Sequence, residues 1–465
     1  MREQRLATVA NLDLPPDMSA TITRWLTGPR FASECEALES LVAQAGAGNK
    51  DALAELVDAF SGTLPIGTGG RRGKVGPGPN RFNRVVVRET AQGVADALNK
   101  FGDPRRVAIV YDTRRDSRDF AHVAAEQLVA NGLSVLLLDV PRPTPELSFI
   151  ARESGCGAGI VVSASHNPPA DNGIKIYGPD GAQVLGLRDR ELMGAILAVA
   201  GMETLPEASA DDRARIEVVP LGEIEIAADR GYHAHVAAQG CVPGSLASTK
   251  LSVVFTPLHG VGHTSVVPVL RARGISVAPV DRQCDPDNGQ FSTVESANPE
   301  LPSSMAMAVE LAKKHGADLV LATDPDADRL GACVHQDGEY IAVDGNRLGV
   351  LMLDHILANT TPADNAWVLT TLVTSPLVAS MARSRGVTAV DDLLVGFKHH
   401  AGMMREHEDR PLLFACEESH GYMRGNAVRD KDGAVAALLL AGCASPAAAQ
   451  DPAPANPADA RDAKP

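Results

Sequence analysis

Short apolar strands alternate with amphipathic helices along most of this chain, and this alternation restricts the possible folds more than any other feature. From Val85 onward, the helical pattern ETAQGVADALNKF leads to the apolar run VAIVYD, and a second helical pattern follows. Comparable rounds begin near residues 215 and 345. Strands that alternate with helices are typical of right-handed βαβ units. We therefore predict an α/β fold with mixed, mostly parallel sheets.

The three rounds are similar in length and divide the chain into successive units. We expect three α/β domains, at residues 61–212, 213–341 and 342–443. Apolar residues recur at helical spacing before them, which predicts a helical N-terminal lead at residues 1–60, packed on the outside of the first domain. Residues 444–465 are almost wholly Ala, Pro, Asp and Asn, and this composition predicts a disordered tail.

The composition argues against several classes of protein. The chain has 43 Lys and Arg against 58 Asp and Glu, a net charge of −15, which disfavours a nucleic-acid partner. Its seven cysteines are scattered without a C-x-x-C pair, so we expect neither a disulfide framework nor a structural zinc site. The N-terminus lacks the apolar core of a signal peptide, and no later run is apolar enough to span a bilayer. These features predict a cytoplasmic protein without a membrane partner and leave its oligomeric state open.

One strand ends in a loop that carries two serines and a histidine. The apolar run at residues 159–162 is followed by SASHNPP, so the predicted strand delivers Ser163, Ser165 and His166 to a turn. Loops at the carboxyl ends of strands in α/β sheets are where catalytic groups collect. A serine hydroxyl there is a possible nucleophile if a neighbour activates it. Taken alone, the motif is also typical of an ordinary Ser/Asn/Pro turn.

A second strand runs directly into three alternating carboxylates. Asp324, Asp326 and Asp328 follow the apolar run ADLVLAT, and such carboxylates repel one another unless a cation lies among them. Oxygen ligands favour a hard ion, Mg²⁺ or Ca²⁺. Arg329 stands where the turn glycine of an EF-hand belongs, and His335 stands where its glutamate belongs, which excludes that motif. A solvated acidic turn is the simpler alternative.

A hard cation and a loop serine together suggest phosphoryl transfer, which needs counter-charges for phosphate oxygens. We expect these from Arg72, Arg81, Arg329 and Lys175. The glycine-rich loop at residues 66–83, which carries Arg72 and Arg81, fits neither a P-loop nor G-x-G-x-x-G. The string CEESHG offers paired carboxylates and a hydroxyl suited to binding sugar hydroxyls, or it is a charged turn.

Five motifs in this order resemble those of the α-D-phosphohexomutase superfamily, which includes the phosphoglucomutases, the phosphomannomutases and a phosphopentomutase-like branch. Together they span most of residues 60–440. The motifs are GTGGRRG at 67–73, SASHNPPADNGIK at 163–175, DPDADR at 324–329, VGFK at 395–398 and EESHGY at 417–422.

The resemblance implies three phosphoglucomutase-type α/β domains and a Mg²⁺-dependent intramolecular phosphotransferase. Ser165 would be the phosphoserine, and Mg²⁺ would be bound by its phosphate and by Asp324, Asp326 and Asp328. The phosphoryl group would move between the 1-position and the 6- or 5-position of a sugar phosphate through a bisphosphate, with a sugar bisphosphate such as glucose 1,6-bisphosphate as activator. The sugar itself, glucose, mannose or a pentose, is not specified.

The resemblance also assigns roles around that centre. Arg72 and Arg329 would hold the transferring group, and His166 and Lys175 would give acid/base help. The residues expected to bind substrate, besides Arg329, are Glu417, Ser419, Lys398 and His259.

The chain departs from the family pattern after Arg-Asp-Lys-Asp-Gly. Family members continue there into a fourth domain with an Arg-x-Ser-Gly-Thr-type phosphate loop, but here the Ala/Pro tail follows. We therefore expect a chain that lacks this domain of about 100 residues. We also expect an exposed apolar side on the helix at 434–440, through which the chain would associate.

Two alternatives stay open: a remnant that only binds sugar phosphate, and a haloacid-dehalogenase-type phosphatase with Asp324 as nucleophile and Asp391 and Asp392 downstream.

Overall fold

Three β-sheets follow one another along the chain in the computed structural model, which describes residues 2–67, 70–219, 228–242 and 244–445. The predicted disordered tail, apart from Ala444 and Ser445, lies outside the described residues. The strands, numbered in chain order, are β1 (Arg71–Lys74), β2 (Arg106–Tyr111), β3 (Ser134–Leu138), β4 (Ala158–Val162), β5 (Asp171–Tyr177), β6 (Ile216–Val219), β7 (Ser252–Thr256), β8 (Ser276–Pro279), β9 (Leu319–Thr323), β10 (Leu330–Gln336), β11 (Glu339–Val343), β12 (Trp367–Thr371), β13 (Thr388–Leu393), β14 (Leu412–Glu417) and β15 (Gly421–Met423).

Each sheet has a parallel centre and antiparallel strands at one edge. The first has the order β1-β5-β4-β2-β3-β6, the second β11-β10-β9-β7-β8 and the third β13-β12-β14-β15. The strands that pair antiparallel with their neighbours are β1 and β5 in the first sheet, β10 and β11 in the second, and β15 in the third. The predicted α/β fold with mixed, mostly parallel sheets is therefore confirmed. The loops after β4, β9 and β14 carry the serine, aspartate and glutamate motifs.

Helices connect and cover the strands. They are α1 (Arg2–Asn11), α2 (Pro16–Thr27), α3 (Cys35–Gly46), α4 (Lys50–Ala59), α5 (Arg84–Phe101), α6 (Ser117–Ala130), α7 (Thr144–Glu153), α8 (Leu187–Val199), α9 (Ala210–Arg213), α10 (Ala228–Ala238), α11 (Val266–Ala272), α12 (Asp281–Cys284), α13 (Ala306–His315), α14 (Gly345–Asn359), α15 (Pro376–Ser384), α16 (Phe397–Glu406) and α17 (Gly433–Cys443), with short 3-10 turns at Pro29–Glu34, Ala247–Thr249, Gly262–Thr264, Asp287–Gly289 and Pro302–Met305. No helix among the described residues is both long enough and apolar enough to cross a bilayer.

The predicted N-terminal lead forms helices α1 to α4, which pack around their own apolar cluster. The cluster contains the fully buried side chains of Ile22, Leu38, Val42 and Leu56. Val85 of α5 also packs in it. Burial of such side chains is worth about 1.5–3 kcal/mol each. The lead is therefore joined to the helix that begins the first α/β unit.

Helix α17 contradicts the expectation of an exposed apolar face. Its N-terminus is capped by Asp432, whose side chain accepts hydrogen bonds from the backbone N–H groups of Ala434 and Val435. Every residue from Gly433 to Gly442 is buried, and those from Ala434 to Ala441 belong to one apolar cluster that the second and third sheets share. A helix that is apolar on all sides is stable only when protein surrounds it. The expected exposure of this helix, on which the expected association rested, is therefore wrong.

Candidate active site

Ser165 lies in a strained turn directly after β4. Its φ of 54° is in the left-handed region, which is costly for a residue other than glycine and is held only by its surroundings. The hydroxyl of Ser163 accepts a hydrogen bond from the Ser165 backbone N–H at 2.8 Å and donates one to Asp112 at 2.7 Å. The turn is thus supported by a buried carboxylate through the Ser163 hydroxyl.

Arg114 holds the same turn from the other side. Its guanidinium donates hydrogen bonds to the backbone carbonyls of Pro168 at 2.7 Å and Asp171 at 3.0 Å, and also to those of Ser165 and Asn167. The five donors of an arginine allow it to satisfy several carbonyls at once. The backbone of the serine loop is therefore tied to the end of β2.

The three aspartates predicted to bind metal converge on Ser165. Asp324 accepts a hydrogen bond from Ser165 Oγ at 2.6 Å. Asp326 accepts one from Thr144 Oγ1 at 2.7 Å and a charged one from Lys175. All three carboxylates are buried, and one oxygen from each lies within 4.8 Å of the others. The serine loop and the aspartate loop therefore form one centre between the first and second sheets.

The charges in this centre are unevenly compensated. Burial raises the pKa of Asp324, and the neighbouring Asp328 and Asp326 raise it further. Burial acts on Asp326 in the same direction, but Lys175 outweighs it and holds the pKa of that carboxyl below its usual range. Lys175 also lies 3.1 Å from Asp328.

The donor set fits a hard divalent cation. Oδ1 of Asp326 and Oδ1 of Asp328 are buried and have no hydrogen-bond partner among the residues that the structure describes. Buried carboxylate oxygens rarely lack a hydrogen-bond partner unless an ion or a water molecule binds them instead. All three ligands offer oxygen, the atom that Mg²⁺ prefers.

His166, Arg72 and Arg329 lie around the serine. His166 Nδ1 is 3.2 Å from Ser165 Oγ. Burial lowers the pKa of His166 to about 4, and the charges of Arg329 and Arg72 act in the same direction, so the imidazole is neutral at pH 7. Arg329 forms an ion pair with Glu300, and its backbone N–H donates to Asp324 at 3.1 Å. Both arginines are thus close enough to influence the serine loop electrostatically.

The glutamate loop of the third unit contacts the aspartate loop directly. The backbone N–H of Leu330 donates to the His420 carbonyl at 3.1 Å, and His420 Nδ1 lies 3.0 Å from the Leu330 carbonyl. Glu417 is buried and accepts a hydrogen bond from the Gly396 N–H at 2.6 Å. Burial raises the pKa of Glu417.

Ser419, in the glutamate loop, and Lys398, at the start of α16, are each half-buried. Lys398 lies near Asp189 of α8 and lowers the pKa of that carboxyl, although burial raises it more. Lys398 therefore lies beside the first unit, and its predicted role and that of Ser419 in substrate binding stay predictions.

Two residues predicted to act in the site are engaged elsewhere. The Arg81 side chain is 4% exposed and bound to Glu55 at 2.9 Å and to Asp58, both from α4, so its predicted role as a phosphate counter-charge is wrong. His259 Nδ1 lies 2.7 Å from the Asp285 carbonyl and Nε2 lies 2.6 Å from Thr293 Oγ1. With both ring nitrogens occupied, His259 has no polar atom left for a substrate.

Three residues that the sequence did not single out hold the centre together: Arg114, Thr144 and Lys431. Lys431 Nζ lies 2.7 Å from Asp328 Oδ2. The available signals were weak: TRRDS after VAIVYD, PRPTP after SVLLLDV, and a charged run, RDKD, before an apolar helix.

Three family models match the chain in succession. They are the phosphoglucomutase/phosphomannomutase alpha/beta/alpha domain I at residues 64–199, domain II at 230–338 and domain III at 344–453. The expected resemblance to this superfamily is therefore confirmed.

Curated relatives are similar over most of the chain. A phosphoglucomutase of Staphylococcus haemolyticus is 36% identical over 377 residues, which cover 80% of this chain and 67% of the relative. One from Staphylococcus aureus (strain N315) is 37% identical over 380 residues, which cover 81% and 67%.

Solved structures share the fold. A phosphoglucomutase/phosphomannomutase family protein of Burkholderia thailandensis has a TM-score of 0.64 at 20% identity, covering 81% of this chain and 76% of its own. The phosphoglucomutase parafusin of Paramecium, in an open form, has a TM-score of 0.62 at 19% identity, covering 82% and 70%. The matches to the three domain models and to the curated relatives place this chain in the phosphoglucomutase/phosphomannomutase family.

Proposed function

We propose that the protein is a phosphosugar mutase. It moves a phosphoryl group between the 1-position and the 6- or 5-position of a sugar phosphate, through a phosphorylated Ser165 and a bisphosphate intermediate. The observation that carries this proposal is the position of Ser165 Oγ, 2.6 Å from Asp324 and 3.2 Å from His166 Nδ1, at the edge of a buried cluster of three carboxylates. Membership of the phosphoglucomutase/phosphomannomutase family supports the same chemistry.

Asp324, Asp326 and Asp328 would hold Mg²⁺, since their buried, unpartnered oxygens fit such an ion. When bound, Mg²⁺ supplies positive charge that stabilises the negative charge on a transferring phosphoryl group. The strained turn of Ser165, fixed by Ser163 and Arg114, keeps the hydroxyl in place without reorganisation. Such preorganisation is the main way in which a protein accelerates phosphoryl transfer.

The proton movements are assigned to this chain's own residues. A hydroxyl of the sugar phosphate attacks the phosphorus of phosphorylated Ser165, the bond from phosphorus to Ser165 Oγ breaks, and the hydroxyl proton passes to a base. The attacking hydroxyl and Oγ lie on opposite sides of the phosphorus, so His166, which faces Oγ, gives a proton to Oγ as that group leaves. When the bisphosphate returns its other phosphate to Ser165, the neutral imidazole takes the proton of the attacking Ser165 hydroxyl. Lys175 is buried between Asp326 and Asp328 and acts as a fixed positive charge beside the same step.

Arg72 and Arg329 would grip the phosphate oxygens, and Glu417, Ser419 and Lys398 would bind the sugar. A carboxylate such as Glu417 accepts hydrogen bonds from two hydroxyls at once, which suits a hexose. The curated relatives named above are phosphoglucomutases, and we take glucose 1-phosphate as the first substrate to test, with glucose 1,6-bisphosphate as activator. We also propose a cytoplasmic location, which is supported by seven free cysteines.

A coupled assay tests the proposal. Purified protein is given glucose 1-phosphate, Mg²⁺ and glucose 1,6-bisphosphate, formation of glucose 6-phosphate is followed, and the intact mass is measured alongside. We expect turnover that depends on the bisphosphate and a phosphate adduct on Ser165. A phosphate adduct without turnover on hexose or pentose phosphates would mean that the chain forms the phosphoserine but is not a mutase. Phosphate trapped on Asp324 would contradict the assignment of Ser165 as nucleophile.

A further inference from the structure

A lysine from the third unit reaches into the carboxylate cluster of the second. Lys431 lies between β15 and α17, and its Nζ is 2.7 Å from Asp328 Oδ2 and 3.6 Å from Asp430 Oδ1. Burial lowers the pKa of Lys431, but Asp328 and Asp430 outweigh burial and raise it above its usual value. The side chain is therefore positively charged at neutral pH, and it neutralises part of the cluster.

The same lysine is held by both sugar-side loops. A Cβ placed on Gly421 would lie 2.8 Å from Lys431 Cδ and 2.8 Å from the ring of Phe397, so the absence of a side chain at Gly421 makes room for the lysine stem. Lys431 Nζ is 6.0 Å from the centre of the Phe397 ring, within the range of a cation–π contact. Gly421 belongs to the loop EESHGY and Phe397 to VGFK. Lys431 thus depends on the position of both loops.

Lys431 also acts on the carboxylate that is expected to bind sugar. Burial raises the pKa of Glu417, and the charge of Lys431 is the foremost influence in the opposite direction. One ammonium group therefore interacts with Asp328 in the aspartate cluster and with Glu417 in the glutamate loop. No other lysine in the described part of the chain has an ion pair with the cluster except Lys175, which comes from β5 in the first sheet.

We propose that Lys431 is a positioning residue that couples cation binding in the aspartate cluster to the position of the sugar-binding loops. This inference rests on the proposed function for its cation site and its sugar loop. A divalent cation among the three aspartates repels the ammonium and competes with it for Asp328. Cation binding then moves Lys431 toward Asp430 and Glu417, and the attached loops follow. Because such coupling is reciprocal, sugar phosphate at Glu417 changes the cation affinity in turn.

The test is the cation affinity of the variant Lys431→Met, measured by calorimetry with MgCl₂ alone. Methionine keeps the stem that packs on Gly421 and Phe397 but removes the competing charge. We expect Mg²⁺ to bind about tenfold more tightly, the effect of roughly one repulsive charge removed from a partly shielded site. We also expect Mg²⁺ to alter hydrogen exchange at residues 412–423 in the wild-type protein and to leave it unchanged in the variant.

The matched control is Lys313→Met, which removes a lysine of α13 whose partner is Glu310, and its Mg²⁺ affinity should equal that of the wild type. If Lys431→Met does not fold, Lys431→Gln serves the same purpose with a polar end. Unchanged or weaker Mg²⁺ binding by the neutral variant overturns the inference. A wild-type protein that binds Mg²⁺ but shows no turnover overturns the proposed function alone, and one that binds no divalent cation overturns both.

Discussion

The two halves of the candidate site differ in how their buried polar groups are held. In the serine and aspartate half, Ser165 is fixed by partners on two sides, and the carboxylate oxygens without a partner in the described structure, Oδ1 of Asp326 and of Asp328, are those that a cation would complete. In the glutamate half, His400 is fully buried, and neither of its ring nitrogens has a hydrogen-bond partner in the described structure. Buried polar groups without a partner are costly unless an ion or ligand completes them. A cation would thus complete the serine and aspartate half, whereas the imidazole of the glutamate half stays unpaired, so the serine half is the more firmly held of the two.

The two halves also differ in how exposed their surroundings are to solvent. Ser165 of the serine loop is buried, whereas Glu418 of the glutamate loop is only partly buried and lies 3.4 Å from Thr371 Oγ1 at the end of β12. Exposed apolar side chains crowd there: Leu372, Val373, Leu394 and Val395. Leu372 is hydrogen-bonded to the Leu393 carbonyl at 2.9 Å, so these two loop ends are neighbours. The sugar side of the site is therefore the more open one.

The largest effect should come from removing the proposed nucleophile. In Ser165→Ala we expect no phosphate adduct by intact mass and a fall in turnover by about 10⁴-fold or more, since loss of a nucleophile removes the covalent path altogether. The comparison variant is Ser163→Ala, which removes only the hydroxyl that supports the turn and should keep the adduct, with turnover reduced by about tenfold. Equal losses in the two variants would show that the turn, and not the Ser165 hydroxyl, is what matters.

An intermediate effect should come from the sugar half. In Glu417→Gln we expect KM for the sugar phosphate to rise by about 10- to 100-fold, because a carboxylate that accepts hydrogen bonds becomes an amide with half the acceptors. Phosphate incorporation at Ser165, measured by mass after incubation with glucose 1,6-bisphosphate, should persist. Lost incorporation at unchanged KM would place Glu417 in the phosphoryl half and erase the distinction between the two halves.

The smallest effect concerns acid stability. The buried His400 imidazole stacks on Phe397, and burial lowers its pKa to about 3. The unfolded chain takes up this proton near pH 6.5, whereas the folded chain takes it up only near pH 3, so stability from this residue is lost as the pH falls from about 6.5 toward 3. We expect the melting temperature of His400→Phe to fall less between pH 7 and pH 4.5 than that of the wild type. Exposed His315 gives the control His315→Asn, which should follow the wild type; equal slopes for all three proteins would contradict the burial argument.

The sequence predicted the fold and the aspartate cluster because their signals are local. A buried strand followed by Asp324, Asp326 and Asp328 within five residues leaves little freedom in where the carboxylates point. Thr144 and Lys431 were missed because their partners in the cluster are 182 and 103 residues away, and no spacing rule reports such pairs. Arg81 was wrongly predicted for the same reason, since α4 of the helical lead supplies its carboxylates.

Helix α17 also sets an order of assembly during synthesis. Leu321 of the second sheet and Val368 of the third share an apolar cluster with Val435 and Leu438 of this helix. The chain emerges from the ribosome N-terminus first, so both of these units wait for α17 before their common core closes. The two apolar clusters of the first sheet need only residues between Leu64 and Ile196, together with flanking side chains up to Val219. The nascent chain therefore closes the cores of the unit with the proposed nucleophile while the units with the proposed cation and sugar sites are still incomplete.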